Sequence, residues 1–213
     1  VWVNDTAGNL ATSATRTVVI DTVAPSVTAN STLYPAGKII AKVNDVVTLR
    51  ATVTDATSGI DTVTVGAAAV CTVTPITLTL QSGNLYTGSC TIKSSPTEGT
   101  SNLIVAANDT VGNTNSTTEI SVTVDATSPT SLSFVSPTLN DGTNLSRNYY
   151  EVNLTFTQTN PNNCLFDDGS NTSMTRVGSS CFINRTSQTD GTKTYRVWVN
   201  DTAGNLATSA TRT

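Results

Sequence analysis

The residues that could do chemistry here are four cysteines, a scatter of single aspartates and nine Asn-x-Ser/Thr triplets, in a chain with no histidine. The cysteines fall into two close pairs, Cys71 with Cys90 and Cys164 with Cys181. Neither pair has C-x-x-C spacing, and without histidine a tetrahedral zinc site is disfavoured. Separations of nineteen and seventeen residues fit disulfides joining neighbouring strands. An even count used this way points to an oxidising, extracellular compartment. Four reduced, buried thiols are the alternative.

The carboxylates give little support for catalysis. The usual general base is missing, and no G-x-S-x-G or S-x-x-K phrase occurs. Asp167-Asp168 resembles a paired-carboxylate site, but beside Gly169 it reads as a solvated turn. We therefore expect no catalytic residue, no cofactor-binding residue and no enzyme. Calcium is the sharper alternative, because a hard cation wants several oxygen ligands, and Asp5, Asp21, Asp55, Asp109 and Asp125 lie near turns or joints. Yet these aspartates occur singly, with no D-x-D or EF-hand phrase. Capping of turns is the preferred reading, and the expected metal ligands are none.

The Asn-x-Ser/Thr triplets start at Asn4, Asn30, Asn108, Asn115, Asn144, Asn153, Asn171, Asn184 and Asn200. They are candidate glycosylation sites, although in so Ser- and Thr-rich a chain chance alone supplies about six, so the signal is a surface hint. Asn153 sits opposite Val152 and Leu154 in an alternating run, which predicts an exposed position. Trp2 and Trp198 share one motif position, and the expectation for both is burial in a core rather than carbohydrate stacking.

These residues must be positioned by strands. The hydrophobic fraction is 37% and the charged fraction 12%, with Thr, Ser and Asn supplying the polarity. Threonine with Val and Ile favours a pleated, half-buried surface, and no window has helical apolar spacing. A net charge of -4 disfavours nucleic acid, whose recognition rests on clustered Lys and Arg. No apolar run approaches the length of a membrane span. The chain opens inside a strand pattern without an initiator Met, so no signal peptide is expected in it, which says nothing about export.

One repeat organises the whole. Val1–Thr17, VWVNDTAGNLATSATRT, recurs unchanged as Val197–Thr213, an offset of 196 residues. Self-similarity at a fixed offset is the mark of a repeat architecture. Either the chain is one period of a tandem array plus an overlap, or its ends are interchangeable parts of an assembly. The array is the preferred reading.

Two joints punctuate the chain. Val18-Val19-Ile20-Asp21 leads to Pro25, and Val122-Thr123-Val124-Asp125 leads to Pro129. Proline removes a ladder donor and keeps the residue before it extended. Upstream of each joint stands a shared phrase, Asn4–Asn9 and Asn108–Asn113, whose Asn, Asp and Gly suit a tight turn. The boundaries that follow are 1–21, the last strands of a preceding domain; 22–125, a first domain; and 126–213, a second. Within them Val47, Leu49, Ala51 and Val53 alternate with polar residues, as do Ile76, Leu78 and Leu80, and later Tyr150, Val152, Leu154 and Phe156. Short strands with frequent turn signals argue for β-sandwiches.

The phrases D-A-T-S-G-I, N-D-T-A-G-N and V-x-V/I-D-x-x-x-P resemble the tandem Ig-like domains of large archaeal and bacterial surface proteins. The resemblance covers the whole chain, but the two domains are not copies, so the repeating unit is a pair. It implies an all-β chain of two tandem Ig-like sandwiches plus a terminal strand pair belonging to an adjacent repeat. It further implies an extracellular, cell-surface location and a structural filament, stalk or fibre. Its partners would be copies of itself, joined covalently in tandem or by strand donation. An adhesin module recognising a glycan or a partner cell is the alternative function.

Overall fold

The computed structural model describes the backbone of residues 1–213 and every side chain except that of residue 29. Strands β1 (Trp2–Asn4) and β2 (Leu10–Thr12) form a two-stranded ribbon, paired from Trp2 with Thr12 to Asn4 with Leu10. Every residue of 1–20 is exposed, and neither strand pairs with any other. The ribbon holds itself by its turn, where the Asp5 carboxylate accepts the Ala7 and Asn9 N–H groups, both at 2.9 Å.

The first sandwich contains β3 (Ser26–Leu33), β4 (Val46–Thr54), β5 (Ile60–Val65), β6 (Ile76–Ser82), β7 (Leu85–Thr91), β8 (Gly99–Asp109) and β9 (Thr114–Val124). Their order is β3-β4-β7-β6-β5-β8-β9, antiparallel throughout. Strand β6 pairs β5 through Ile76–Leu78 and β7 through Thr79–Ser82, so it passes from one sheet to the other. Side chains alternate across a strand, and Val47, Leu49, Ala51 and Val53 all face the core. From the opposite sheet come Val63, Val65, Leu103, Val105, Ile120 and Val122. Burying each of the Val, Leu and Ile side chains among these contributes roughly 1.5–3 kcal/mol, against the entropy lost in ordering it. Leu80 departs from the expected alternation and is exposed, because β6 has left the inner register and bulges against β7 there.

The second sandwich contains β10 (Thr130–Val135), β11 (Tyr150–Thr157), β12 (Pro161–Asp167), β13 (Asn171–Ser173), β14 (Thr175–Val177), β15 (Ser180–Arg185), β16 (Arg196–Asp201) and β17 (Leu206–Thr208). One sheet runs β10-β11-β15-β14 and the other β13-β12-β16-β17. Its core is more aromatic, with the Phe166 and Tyr195 ring centroids 5.1 Å apart. All described residues lie in strands, turns or irregular segments, and two antiparallel sheets face each other in each unit. The architecture is an all-β pair of Ig-like sandwiches.

Cys71 and Cys90 are disulfide-bonded, with Cα atoms 5.4 Å apart, tying the β5–β6 connection to β7. Cys164 and Cys181 are bonded with Cα atoms 6.4 Å apart, and this bridge crosses from β12 in one sheet to β15 in the other. Among the described residues no cysteine is free. No helix of the structure is long and apolar enough to cross a membrane.

Candidate functional site at the joints

Each joint aspartate is gripped by the domain that follows it. Asp21 precedes the first sandwich, and its carboxylate accepts the Ser58 N–H at 3.0 Å while its carbonyl accepts the Asn113 side-chain amide at 3.3 Å. Asp125 precedes the second, and its carbonyl accepts the Asn205 amide at 2.9 Å while its carboxylate accepts the Asn160 amide at 2.6 Å. The gripping asparagine ends the N-D-T-x-G-N turn in both cases. That turn is built around its own aspartate. Asp109 accepts the Val111 and Asn113 N–H groups at 3.0 and 2.8 Å, and Asp201 accepts those of Gly204 and Asn205, both at 2.8 Å. The turn glycines Gly112 and Gly204 take φ of 98° and 89°, left-handed values that a Cβ would penalise.

The second asparagine N–H of the same amide closes the device. Asn113 donates to the Asp109 carboxylate at 2.7 Å, and Asn205 to that of Asp201 at 2.9 Å. One side chain thus ties turn to joint. Burial raises the Asp109 carboxyl's pKa, but the Asn113 side chain and the turn N–H groups outweigh it and hold the value below normal. For Asp55, the Gly59 N–H and its neighbours have the same effect.

The two joints differ in charge. At the first, carboxylate oxygens of Asp21, Asp55 and Asp109 lie within 4.8 Å of one another. At the second, the side chain meeting the joint aspartate is the neutral Asn160, and the Gln158 amide donates to Asp201 at 2.9 Å and to the Thr127 carbonyl at 2.9 Å. The first arrangement offers hard oxygen donors of the kind a divalent cation takes. Each of its carboxylates is at the same time already capped by main-chain N–H groups. Sequence reasoning placed these three aspartates near turns and joints but not beside one another. Asn160 and Gln158 it missed altogether, since T-Q-T-N-P shares no phrase with the Asp55 loop.

The junction between sandwiches has further contacts. Glu98 accepts the Ala126 N–H at 3.1 Å and the Thr127 hydroxyl at 2.6 Å. Lys38 is bonded to Asp45 at 2.7 Å, and a Cβ placed on Gly204 would lie 3.5 Å from the Lys38 ammonium nitrogen. The identical Gly8 has nothing within the same reach.

The remaining expected positions are scattered. Asp167 and Asp168 do not converge on a common centre. Asp167 takes the Trp198 indole N–H at 3.1 Å and Arg196 at 2.8 Å, whereas Asp168 pairs with Arg185. Trp198 corrects the expectation of core burial, because Val197 and Val199 claim the inner face at 0% exposure and strand alternation turns the indole outward. There it lies under the Arg196 guanidinium, 4.6 Å from the ring centroid. Of the triplet asparagines, Asn4, Asn30, Asn144, Asn171 and Asn184 are exposed, and Asn108, Asn115, Asn153 and Asn200 are half-buried. Asn153 is not the open strand-face position its alternation suggests. Its side-chain nitrogen, the atom a glycan would take, donates to the Ser136 carbonyl at 3.3 Å.

No protein-family profile matches this chain, and no curated protein matches it. Among solved structures it is similar to the fibronectin(III)-like modules of Clostridium thermocellum CbhA, with 16% identity, TM-score 0.44, and coverage of 88% of this chain and 90% of that one. It is also similar to the N-terminal eight Ig domains of Down syndrome cell adhesion molecule, with 12% identity, TM-score 0.42, and coverage of 88% and 24%. The titin Ig tandem A164-A165 matches at 11% identity and TM-score 0.35, with coverage of 87% and 93%. Likenesses this remote say nothing of ligand or partner.

Proposed function

We propose that this chain is a structural repeat unit of a long extracellular filament, stalk or surface fibre, with some of its exposed asparagines glycosylated. One observation carries the reading. The same seventeen residues are packed into a sandwich at one end and bare at the other. Val197, Val199 and Ala203 are wholly buried, the two valines in the core of the second domain, while their twins Val1, Val3 and Ala7 are exposed. A two-stranded ribbon is marginally stable alone, and its apolar face needs the sandwich that its twin occupies. Because Val197–Thr213 already fill that place within the chain, a covalent array accounts for the pattern more directly than donation of Val1–Thr17 to a neighbour.

Mechanical continuity then follows from the joints. Each domain closes its own core, each joint aspartate is clasped by the next domain, and disulfides keep both sandwiches closed outside the cell. An adhesin would present exposed aromatics beside a pocket. On the two sandwiches Tyr149 is the aromatic so placed, and its ring is covered by Arg147 at 4.4 Å. The test is a protein of three covalent periods, imaged by electron microscopy and measured by small-angle scattering. A rod whose length grows by a fixed two-domain increment per period supports the proposal; independently tumbling domains would overturn it.

A further inference from the structure

At the free end of the second sandwich lies an open groove of about 850 Å³, flanked by Leu145, Tyr149, Tyr150, Gly191, Lys193 and Tyr195, with Thr213 at its head. Leu145 and Tyr149 are exposed there. In the first sandwich the corresponding place is filled by its own last strand, because β9 runs on to Val124 and places Ile120, Val122 and Val124 in the core at 0–1% exposure. In the second, the corresponding strand stops short. Gly112 to Asp125 and Gly8 to Asp21 span the same thirteen positions. Arg16, Val18 and Ile20 therefore stand where Ile120, Val122 and Val124 do. Arg212, the twin of Arg16, already sits in its slot, exchanging both main-chain hydrogen bonds with Tyr195 at 2.8 and 2.9 Å as Ile120 pairs with Leu103.

We infer that this groove is the seat of the segment Val18-Val19-Ile20-Asp21 of the next period, which rests on the array reading above. Continuing the register from Tyr195 and Arg212, Lys193 would face the Val18 residue and Gly191 the Ile20 residue. The first sandwich has that arrangement, with Ser101 opposite Val122 and Gly99 opposite Val124. Gly99 and Gly191 both take left-handed backbone, φ 83° and 119°, so the wall is already shaped for the pairing. Yet Thr192–Thr194 lie outside any strand. The far wall matches as well. In the first sandwich Ala41 donates to Thr123 and accepts from Asp125, at 3.0 and 2.8 Å. In the second, Gly142 donates to Thr213 at 2.7 Å, leaving its carbonyl to receive the N–H two residues further on, that of the Val19 residue. Val18 and Ile20, exposed at 82% and 81% in this chain, would then lie against Leu145, Tyr149 and Tyr150, and Val19 would point out.

The experiment compares this chain with the same chain extended past Thr213 by Val-Val-Ile-Asp, using amide hydrogen exchange with residue resolution. Seating should slow exchange of the Gly191 and Lys193 amides by at least about tenfold, leave that of Thr192, which faces away from the added strand, unchanged as control, and raise the melting temperature of the second domain by about 5 °C. An extension of Ser-Ser-Ser-Asp should neither slow exchange there nor raise the melting temperature. Unchanged exchange at Gly191 and Lys193 in the Val-Val-Ile-Asp protein overturns the assignment, as does equal protection by the serine extension. Three-period rods with fast exchange at Gly191 and Lys193 would sink the groove and leave the array; protected amides in periods that tumble independently would do the reverse.

Discussion

The side-chain amide of Asn205 holds the main-chain carbonyl of Asp125 at 2.9 Å, eighty residues away in sequence and on the other side of the joint. The same amide bonds the buried carboxylate of Asp201. Removing it leaves both acceptors short of a donor, at a cost of about 1–3 kcal/mol for the buried one. Asn205→Ala should therefore destabilise the second domain by about that amount and loosen the joint, read as reduced correlation between domain orientations in residual dipolar couplings. Asn9→Ala, the identical change in the identical motif, should leave both sandwiches unaltered, because Asn9 has no joint to hold here. Equal effects from the two would sink the clasp.

The aspartates set the acid limit. The Asp167 carboxyl is held below the ordinary range by the Trp198 indole and by Arg196, and that of Asp55 by the Gly59 N–H and its neighbours. Asp45 is pushed up by burial, but the Lys38 hydrogen bond and the Lys42 N–H outweigh that and keep it low. Folded pKa values lie below unfolded ones of about 3.9, so this stability is fully present above about pH 4 to 5 and is lost as pH falls through the folded values. With no histidine, no side chain of ordinary pKa titrates between about pH 5 and 8. Thermal melts should show a plateau across that interval and a fall below about pH 4. Asp167→Asn should shrink the fall.

Much of this was legible from local pattern. Period-2 alternation marked the inner faces at Val47–Val53 and Tyr150–Phe156, and N-D-T-x-G-N marked the turns. What was hidden depends on contacts distant in sequence. Leu80 leaves the core because β6 changes sheets, which no window around it reveals. Asn153 loses its open position because the segment after β10 folds over it, with Thr138 and Ser136 both bonding it. Asp21, Asp55 and Asp109 are brought together by three separate connections. Trp198 lies on the face opposite Val197 and Val199, and which of the two faces meets the core is decided by the facing sheet, not by the local sequence.

The two tryptophans offer a direct optical readout of the repeat. Trp2 is 73% exposed, whereas Trp198 is half-buried between Arg196 and Asp167. Acrylamide should quench Trp2, isolated in a Trp198→Phe protein, several-fold more efficiently than Trp198 in a Trp2→Phe protein. In a protein of two covalent periods, every tryptophan but the first should behave as Trp198 does. Uniform quenching across all positions would show that the shared motif packs no differently at the two ends of the chain.

The charge difference between the joints can be tested by exchanging one side chain. At the second joint an amide, Asn160, donates to the joint aspartate; at the first, Asp55 brings a third carboxylate to Asp21 and Asp109. Repulsion from Asp109 works against the ionised form of Asp55, though less than the turn N–H groups favour it. Asp55→Asn keeps an oxygen for the Thr57, Ser58 and Gly59 N–H groups, removes the repulsion and supplies a donor toward Asp21. If the site is a hydrogen-bonded clasp, the variant should melt at or above the parent temperature in chelator, and calcium should move neither protein. A parent that gains several degrees with millimolar calcium, while the variant does not, would instead make the three aspartates a cation site. We expect the first outcome. Each carboxylate already accepts main-chain N–H groups at 2.8–3.0 Å, and a cation would have to compete with them for the same oxygens.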